Sequence, residues 1–157
     1  MKRRSGNAAP DRVLVVVSRF NEGVTGRLLD GARQALVVGG VPPGSIDVVR
    51  VPGAFELPLA VQRGVDSGRY RAAVALGAVI RGETPHFTFI SEETTRGLGE
   101  AARTSGVPVG FGLLTCDTLE QAMARAGGNA GNKGAEAATA ALEAAAVLEG
   151  LDRAVPD

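Results

Sequence analysis

The sequence predicts a three-layer α/β/α sandwich, a four-stranded parallel sheet with helices on both faces, and two patterns carry that prediction. Four short apolar runs alternate with longer stretches of helical periodicity, and repeated βα units of this kind build parallel sheets with right-handed crossovers. Glycine, at 22 residues, falls mostly at the ends of the apolar runs, which suits tight connections better than low complexity. At 157 residues the chain is one domain long and can bury a real core. The expected organisation is a mobile N-terminal arm over residues 1–12 and a single domain over 13–157.

The first strand is VLVVVS, Val13–Ser18, continuous and β-branched as befits a strand buried on both faces. In the next segment Val24, Leu28, Leu29, Ala32 and Leu36 recur at helical spacing, and Gly39–Gly40 close the helix. IDVVRV, Ile46–Val51, is the second strand. After PGAF a helix runs from about Glu56, with Leu57, Ala60, Val61 and Val65 on one face and Pro58 in the first turn, where its missing N–H costs nothing. The third strand is AAVALG, Ala72–Gly77, followed by the polar segment around RGETPH and a helical pattern to about Ser105. PVGFGLLT, Pro108–Thr115, is the fourth. A short helix follows, with Asp117 or Thr118 as N-cap and Glu120 placed for a capping interaction. A Gly-rich break, GGNAGNKG, precedes a last helix so rich in alanine that it must pack closely against a flat surface.

Composition excludes several function classes. Seventeen basic residues balance seventeen acidic ones, aromatics are 4% and Trp is absent, so neither a phosphate-tracking surface nor a base-stacking platform is expected and nucleic acid is not a partner. No run approaches the length of a membrane span. MKRRSGNAAPDR is basic without an apolar region behind it, so it does not read as a signal peptide. One cysteine, Cys116, precludes an internal disulfide and makes the cytoplasm the expected compartment. One histidine and one cysteine leave no soft-metal ligand set, so no metal is expected.

Doubly wound sheets bind ligands where strand C-termini feed into loops. Here those loops are Ser18–Glu22, Val51–Glu56, Gly77–His86 and Thr115–Asp117. RGETPH offers a glycine, a threonine hydroxyl and backbone N–H groups before a helix, a reasonable anion cradle. A guanidinium would strengthen it, but spacing does not rank Arg81 against Arg125. The chain has no GxxxxGK[ST] and no GxGxxG, which disfavours nucleoside triphosphates and dinucleotides. His86, the only histidine, is either a general acid–base or a loop residue with an ordinary hydrogen bond. Phe20 and Phe55 either stack on a planar heterocycle or cap the core. Glu56 is either a ligand-binding carboxylate or a helix N-terminal acid.

SRFNEGVTGRLLDGA, VPGAFELP, ALGAVIRGETPHF, FGLLT and RAGGNAGNKGAEAA, in register from about Arg12 to Leu151, resemble the lumazine synthase family of riboflavin biosynthesis. The resemblance implies condensation of 5-amino-6-(D-ribitylamino)uracil with 3,4-dihydroxy-2-butanone 4-phosphate, without a cofactor. It implies that Phe20 stacks on the pyrimidine, and that Ala54, Phe55 and Glu56 form the segment whose carboxylate accepts ribityl hydroxyls. Ala78, Val79 and Ile80 become the backbone edge for the uracil. Glu83 and Thr84 hold the butanone phosphate, and Arg125 binds its phosphate group. His86 is the proton-transfer residue, with Glu136 an acidic position nearby. Phe111 and Lys133 reach a site across a subunit boundary.

The chain departs from the family's pattern at Thr88, where members usually carry Asp or Glu. Its break between Arg125 and Lys133 is compact, which in this family goes with pentamers assembled into sixty-subunit icosahedral shells. The resemblance also implies riboflavin synthase as a partner. Three alternatives stand beside it: an archaeal-type riboflavin synthase, a non-catalytic lumazine- or flavin-binding shell protein, and a flavodoxin-like FMN carrier of the same architecture. SRFNEG is a poor phosphate loop for the last of these.

Overall fold

Residues 10–154 are described by a computed structural model. Strands β1 (Arg12–Ser18), β2 (Ile46–Val51), β3 (Tyr70–Ile80) and β4 (Val109–Cys116) form one parallel sheet in the order β2-β1-β3-β4. The helices are α1 (Glu22–Val38), α2 (Leu57–Asp66), α3 (His86–Ser105), α4 (Leu119–Ala124) and α5 (Lys133–Ala154). Alternation along the strands splits the core in two. Val13, Val15, Val17, Val74 and Leu76 pack with α1, α4 and α5, while Leu14, Val16, Ala73 and Ala75 pack with α2 and α3. This is the expected three-layer sandwich.

Of the arm expected over 1–12, only Pro10–Arg12 lie among the described residues, and Arg12 already opens β1. The Arg12 Nε donates to Asp47 Oδ2 at 3.0 Å and the Tyr70 hydroxyl donates to the same oxygen at 2.8 Å. One carboxylate thus ties together the N-terminal ends of β1, β2 and β3.

Local differences from the expectation have physical causes. β3 runs past Gly77 to Ile80, so Ala78–Ile80 are strand rather than loop. Gly77 is there for room: a Cβ would come within 3.0 Å of the Leu57 and Leu113 side chains. The cap of α4 is Thr118, and its reciprocal partner is Gln121 rather than Glu120. A 3-10 turn, Ala54–Glu56, precedes α2, which therefore begins at Leu57. The Gly-rich break contains a small hairpin, β5 (Ala126–Gly128) with β6 (Gly131–Asn132).

The alanine-rich α5 buries Ala137, Ala138, Ala141 and Ala145 against α1 and the β3–β4 side of the sheet. Close approach is what the small residues permit. A side chain at Gly110 of β4 would collide with the Ala137 carbonyl, and one at Gly134 would strike the backbone of Leu28.

Candidate active site

The C-terminal ends of the four strands form one rim, and the sequence-derived residues distribute over it unevenly. Phe20 follows β1; its N–H donates to the Pro52 carbonyl at 3.0 Å and the Arg19 N–H to Val51 at 2.8 Å, so the β1 exit is stitched to the β2 exit. The turn after β2 carries Ala54, Phe55 and Glu56. Ala54 is buried, and its carbonyl accepts from the buried Thr94 hydroxyl of α3 at 3.3 Å. One Glu56 carboxylate oxygen accepts the Gly53 N–H at 3.0 Å. The aromatic rings are not core caps: Phe20 is 71% and Phe55 58% exposed. Both rings therefore stand free at the rim, with a face open to a planar ligand.

β3 outruns β1. The β1–β3 ladder ends at Val17–Leu76, whereas β3 stays paired with β4 as far as Ile80–Cys116. The Arg81 N–H bonds the Cys116 carbonyl at 2.9 Å, so the odd residues Val79 and Arg81 point their peptide groups toward β4. By alternation Ala78 and Ile80 turn theirs to the side that β1 has vacated. The Ala78 carbonyl there takes the Asn21 side-chain amide at 3.1 Å. Ile80 is next along that open edge, a donor and an acceptor side by side, which is what an in-plane heterocyclic amide needs.

The β3–α3 turn holds Glu83, Thr84 and His86, all exposed. His86 is not in the loop as such: it is the first residue of the 20-residue α3, whose first turn is closed by N–H groups of Thr88 and Phe89 to the Pro85 carbonyl. Arg81 bridges the start of this turn to the β4 exit through Asp117, Nε to Oδ1 at 2.7 Å, and its guanidinium lies 4.5 Å from the Phe87 ring centroid. That leaves Arg125 as the less committed guanidinium. It caps the end of α4, with Nη1 donating to the Gln121 carbonyl at 3.0 Å. Burial pushes the Cys116 thiol up from its ordinary value, with Arg125 opposing that shift, so the guanidinium charge is felt at the end of β4.

Lys133 begins α5. Its N–H donates to the Arg125 carbonyl at 2.8 Å, which ties the end of α4 to the start of α5, and its Nζ pairs with Glu136 at 3.2 Å. Glu136, one turn along α5, is the acidic partner of Lys133. Asn132 fixes the junction: its side-chain oxygen accepts from the N–H groups of Gly134 and Ala135 at 2.9 and 3.1 Å, and its amide donates to the Arg27 carbonyl of α1 at 3.1 Å.

Phe111 stands apart. It lies mid-strand in β4, opposite Ala75, about 16 Å of strand short of the rim at Cys116, and is half-exposed on an edge strand. Within one chain it does not join Phe20. A concavity of about 350 Å3 lies elsewhere, between Arg33, Gln34, Val37, Val38, Pro43 and Ile46, at the opposite end of the sheet from the rim. At the β1 end of the rim a small concavity of about 40 Å3 lies among Val17, Ser18, Arg19, Glu22 and Arg50. Asn21, Thr94 and Asn132 escaped the sequence reading. For Thr94 the signal was a hydroxyl in register with Leu98 and Ala101 on the buried face of α3.

No helix among the described residues is long and apolar enough to cross a membrane. The family model described as 6,7-dimethyl-8-ribityllumazine synthase matches residues 11–149. The chain is 63% identical over 145 residues to a 6,7-dimethyl-8-ribityllumazine synthase of Gemmatimonas aurantiaca, spanning 92% of this chain and 87% of the relative. Proteins of the same name from Anaeromyxobacter dehalogenans and Nitratidesulfovibrio vulgaris are 55% and 53% identical, over 91% and 87% of this chain and 88% of each relative. All five sequence motifs and every rim residue fall inside the matched span, and the chain belongs to the 6,7-dimethyl-8-ribityllumazine synthase family.

Proposed function

We propose that this chain condenses 5-amino-6-(D-ribitylamino)uracil with 3,4-dihydroxy-2-butanone 4-phosphate to 6,7-dimethyl-8-ribityllumazine, releasing phosphate and water. The observation that carries this is family membership over residues 11–149. The rim supplies suitable parts: an exposed aromatic at Phe20, a main-chain donor–acceptor edge at Ile80, and an arginine at the end of α4.

The pyrimidine stacks on Phe20 with its amide edge along Ala78–Ile80, and the ribityl chain runs toward Ala54–Glu56, where the carboxylate accepts hydroxyl protons. The butanone phosphate sits over Glu83 and Thr84 with its phosphate on Arg125. An amine of the uracil attacks the ketone and an imine forms with loss of water. Phosphate is then eliminated, and ring closure expels a second water. Each step moves protons, which His86 relays. Much of the acceleration comes from holding two reactants in register. Thr88 brings no carboxylate to the histidine, so the imidazole works without that partner.

The same reading makes the chain a homo-oligomer of pentamers arranged as a sixty-subunit shell, with Phe111 and Lys133 serving a neighbour's site. Supporting it are the half-exposed Phe111 remote from Phe20, and the apolar Val147 and Leu151 left exposed on α5. Five copies of the 16.0 kDa chain would weigh about 80 kDa, and light scattering that returned only that particle would reject the shell. The single buried Cys116 suits a cytoplasmic setting. Riboflavin synthase is the partner that would take the product. Supplying the purified chain with lumazine alone separates this reading from a riboflavin synthase: the proposed enzyme leaves it unchanged.

A further inference from the structure

Asn21 is the one non-glycine residue with positive φ among the described residues, at φ 62 and ψ 48. That left-handed conformation costs an ordinary L residue about 1–2 kcal/mol, and glycine adopts it freely. The residue also stands at the N-cap of α1, where asparagine normally turns its side-chain oxygen onto the helix N–H groups. Here it makes no such bond. Only its main-chain carbonyl serves the helix, accepting from Val24 and Thr25 at 2.9 and 3.0 Å. The amide instead reaches across the sheet to the Ala78 carbonyl of β3 at 3.1 Å. The position thus keeps a side chain where glycine would be easier, and spends that side chain on the strand rather than on the helix.

The bond falls at a particular place. β1 stops pairing with β3 at Leu76, and Ala78 is the next β3 residue whose peptide group faces the vacated side. The Asn21 amide substitutes for the missing strand partner there, so Ile80 becomes the first open position. Phe20, the preceding residue, is held on its other side by its N–H to the Pro52 carbonyl.

We infer that Asn21 is a positioning residue for the heterocycle: its left-handed backbone and its amide on Ala78 fix the Phe20 ring relative to the Ile80 edge. The inference deepens the proposed function and rests on that reading of the rim. The pin acts first on the ribitylaminouracil half of the site, because it lies between Phe20 and Ile80, whereas Arg125 follows α4 and Glu83–Thr84 lie in the turn beyond the end of β3.

The test uses Asn21→Gly, which keeps the backbone geometry and deletes the amide, and Asn21→Asp, which presents a carboxylate to the Ala78 carbonyl. The KM of each substrate is measured with the other saturating, alongside the thermal midpoint and particle size. Asn21→Gly is expected to raise the ribitylaminouracil KM by roughly five- to tenfold, the worth of one hydrogen bond. The butanone phosphate KM and particle size should stay at wild-type values, the midpoint should fall by no more than one lost hydrogen bond allows, and Asn21→Asp should raise the first KM further. Unchanged KM values in Asn21→Gly, or both rising together, overturn the pin while leaving the proposed reaction intact. Wild-type protein that makes no lumazine overturns the proposed reaction and the pin with it.

Discussion

Asn132→Ala is the substitution whose cost follows most directly from the geometry. The Asn132 side chain makes three hydrogen bonds, two to the first-turn N–H groups of α5 and one to the Arg27 carbonyl of α1. Losing an asparagine N-cap costs about 0.5–2 kcal/mol, and the bond to α1 adds about 1 kcal/mol. The sum is about 1.5–3 kcal/mol. For a chain of this length that lowers the unfolding midpoint by about 3–12 °C. Asn132→Asp keeps the two acceptor bonds and loses only the donor, so it should cost about 1 kcal/mol. Activity should fall with Asn132→Ala too, because the Lys133 N–H to Arg125 carbonyl bond spans the same junction. Thermal or urea unfolding of wild type and both variants at one protein concentration reads the stabilities. An alanine variant within about 0.5 kcal/mol of wild type, the range of an ordinary surface change, would refute the reasoning.

Three other outcomes are expected. His86→Ala should keep substantial residual activity, because proximity supplies much of the rate, while Arg125→Ala should raise the butanone phosphate KM by about ten- to a hundredfold, the worth of a charge-assisted phosphate contact; steady-state kinetics showing total loss in the first and no change in the second would contradict this. Arg12, and then Tyr70, hold the Asp47 carboxyl at about 2 against an ordinary 3.8. The native carboxyl is thus the stronger acid, so its contribution is present above pH 3.8 and fades as pH falls through about 2. Because Arg12 and Asp47 are 42% and 33% exposed, screening reduces the contribution to about 1 kcal/mol. Asp47→Asn should therefore be less stable than wild type above that window, with the gap closing inside it, as urea unfolding against pH would show. Finally, Ser18 buries its hydroxyl beside Gly77 with no partner among the described residues. Ser18→Ala should be neutral or stabilising by about 1 kcal/mol, and a loss of stability by calorimetry would mean that the hydroxyl is bonded.

The layers of the fold were legible because burial imposes period on a sequence: β-branched runs for the sheet, Leu28 with Leu36 at helical spacing in one segment, and Val61 with Val65 in another. What the period does not carry was lost. Gly77 looks like a strand end, yet it is the spot where Leu57 and Leu113 need room, so β3 continues and Ala78–Ile80 become a strand edge. Thr118–Gln121 and Asp117–Glu120 are equivalent as capping boxes on paper, and only the trajectory of the chain selects the first. The candidate site was legible as motifs at strand ends, since parallel topology fixes where loops gather. Its stitching was not, because Asn21 to Ala78 and Asn132 to Arg27 join residues 57 and 105 positions apart.

The most direct test of the account mixes the purified chain with ribitylaminouracil and butanone phosphate while lumazine fluorescence and inorganic phosphate are followed together. Lumazine and phosphate should appear in equal amounts, and only when both substrates are present. Phosphate release without lumazine, or no lumazine at all from a folded protein, would contradict it.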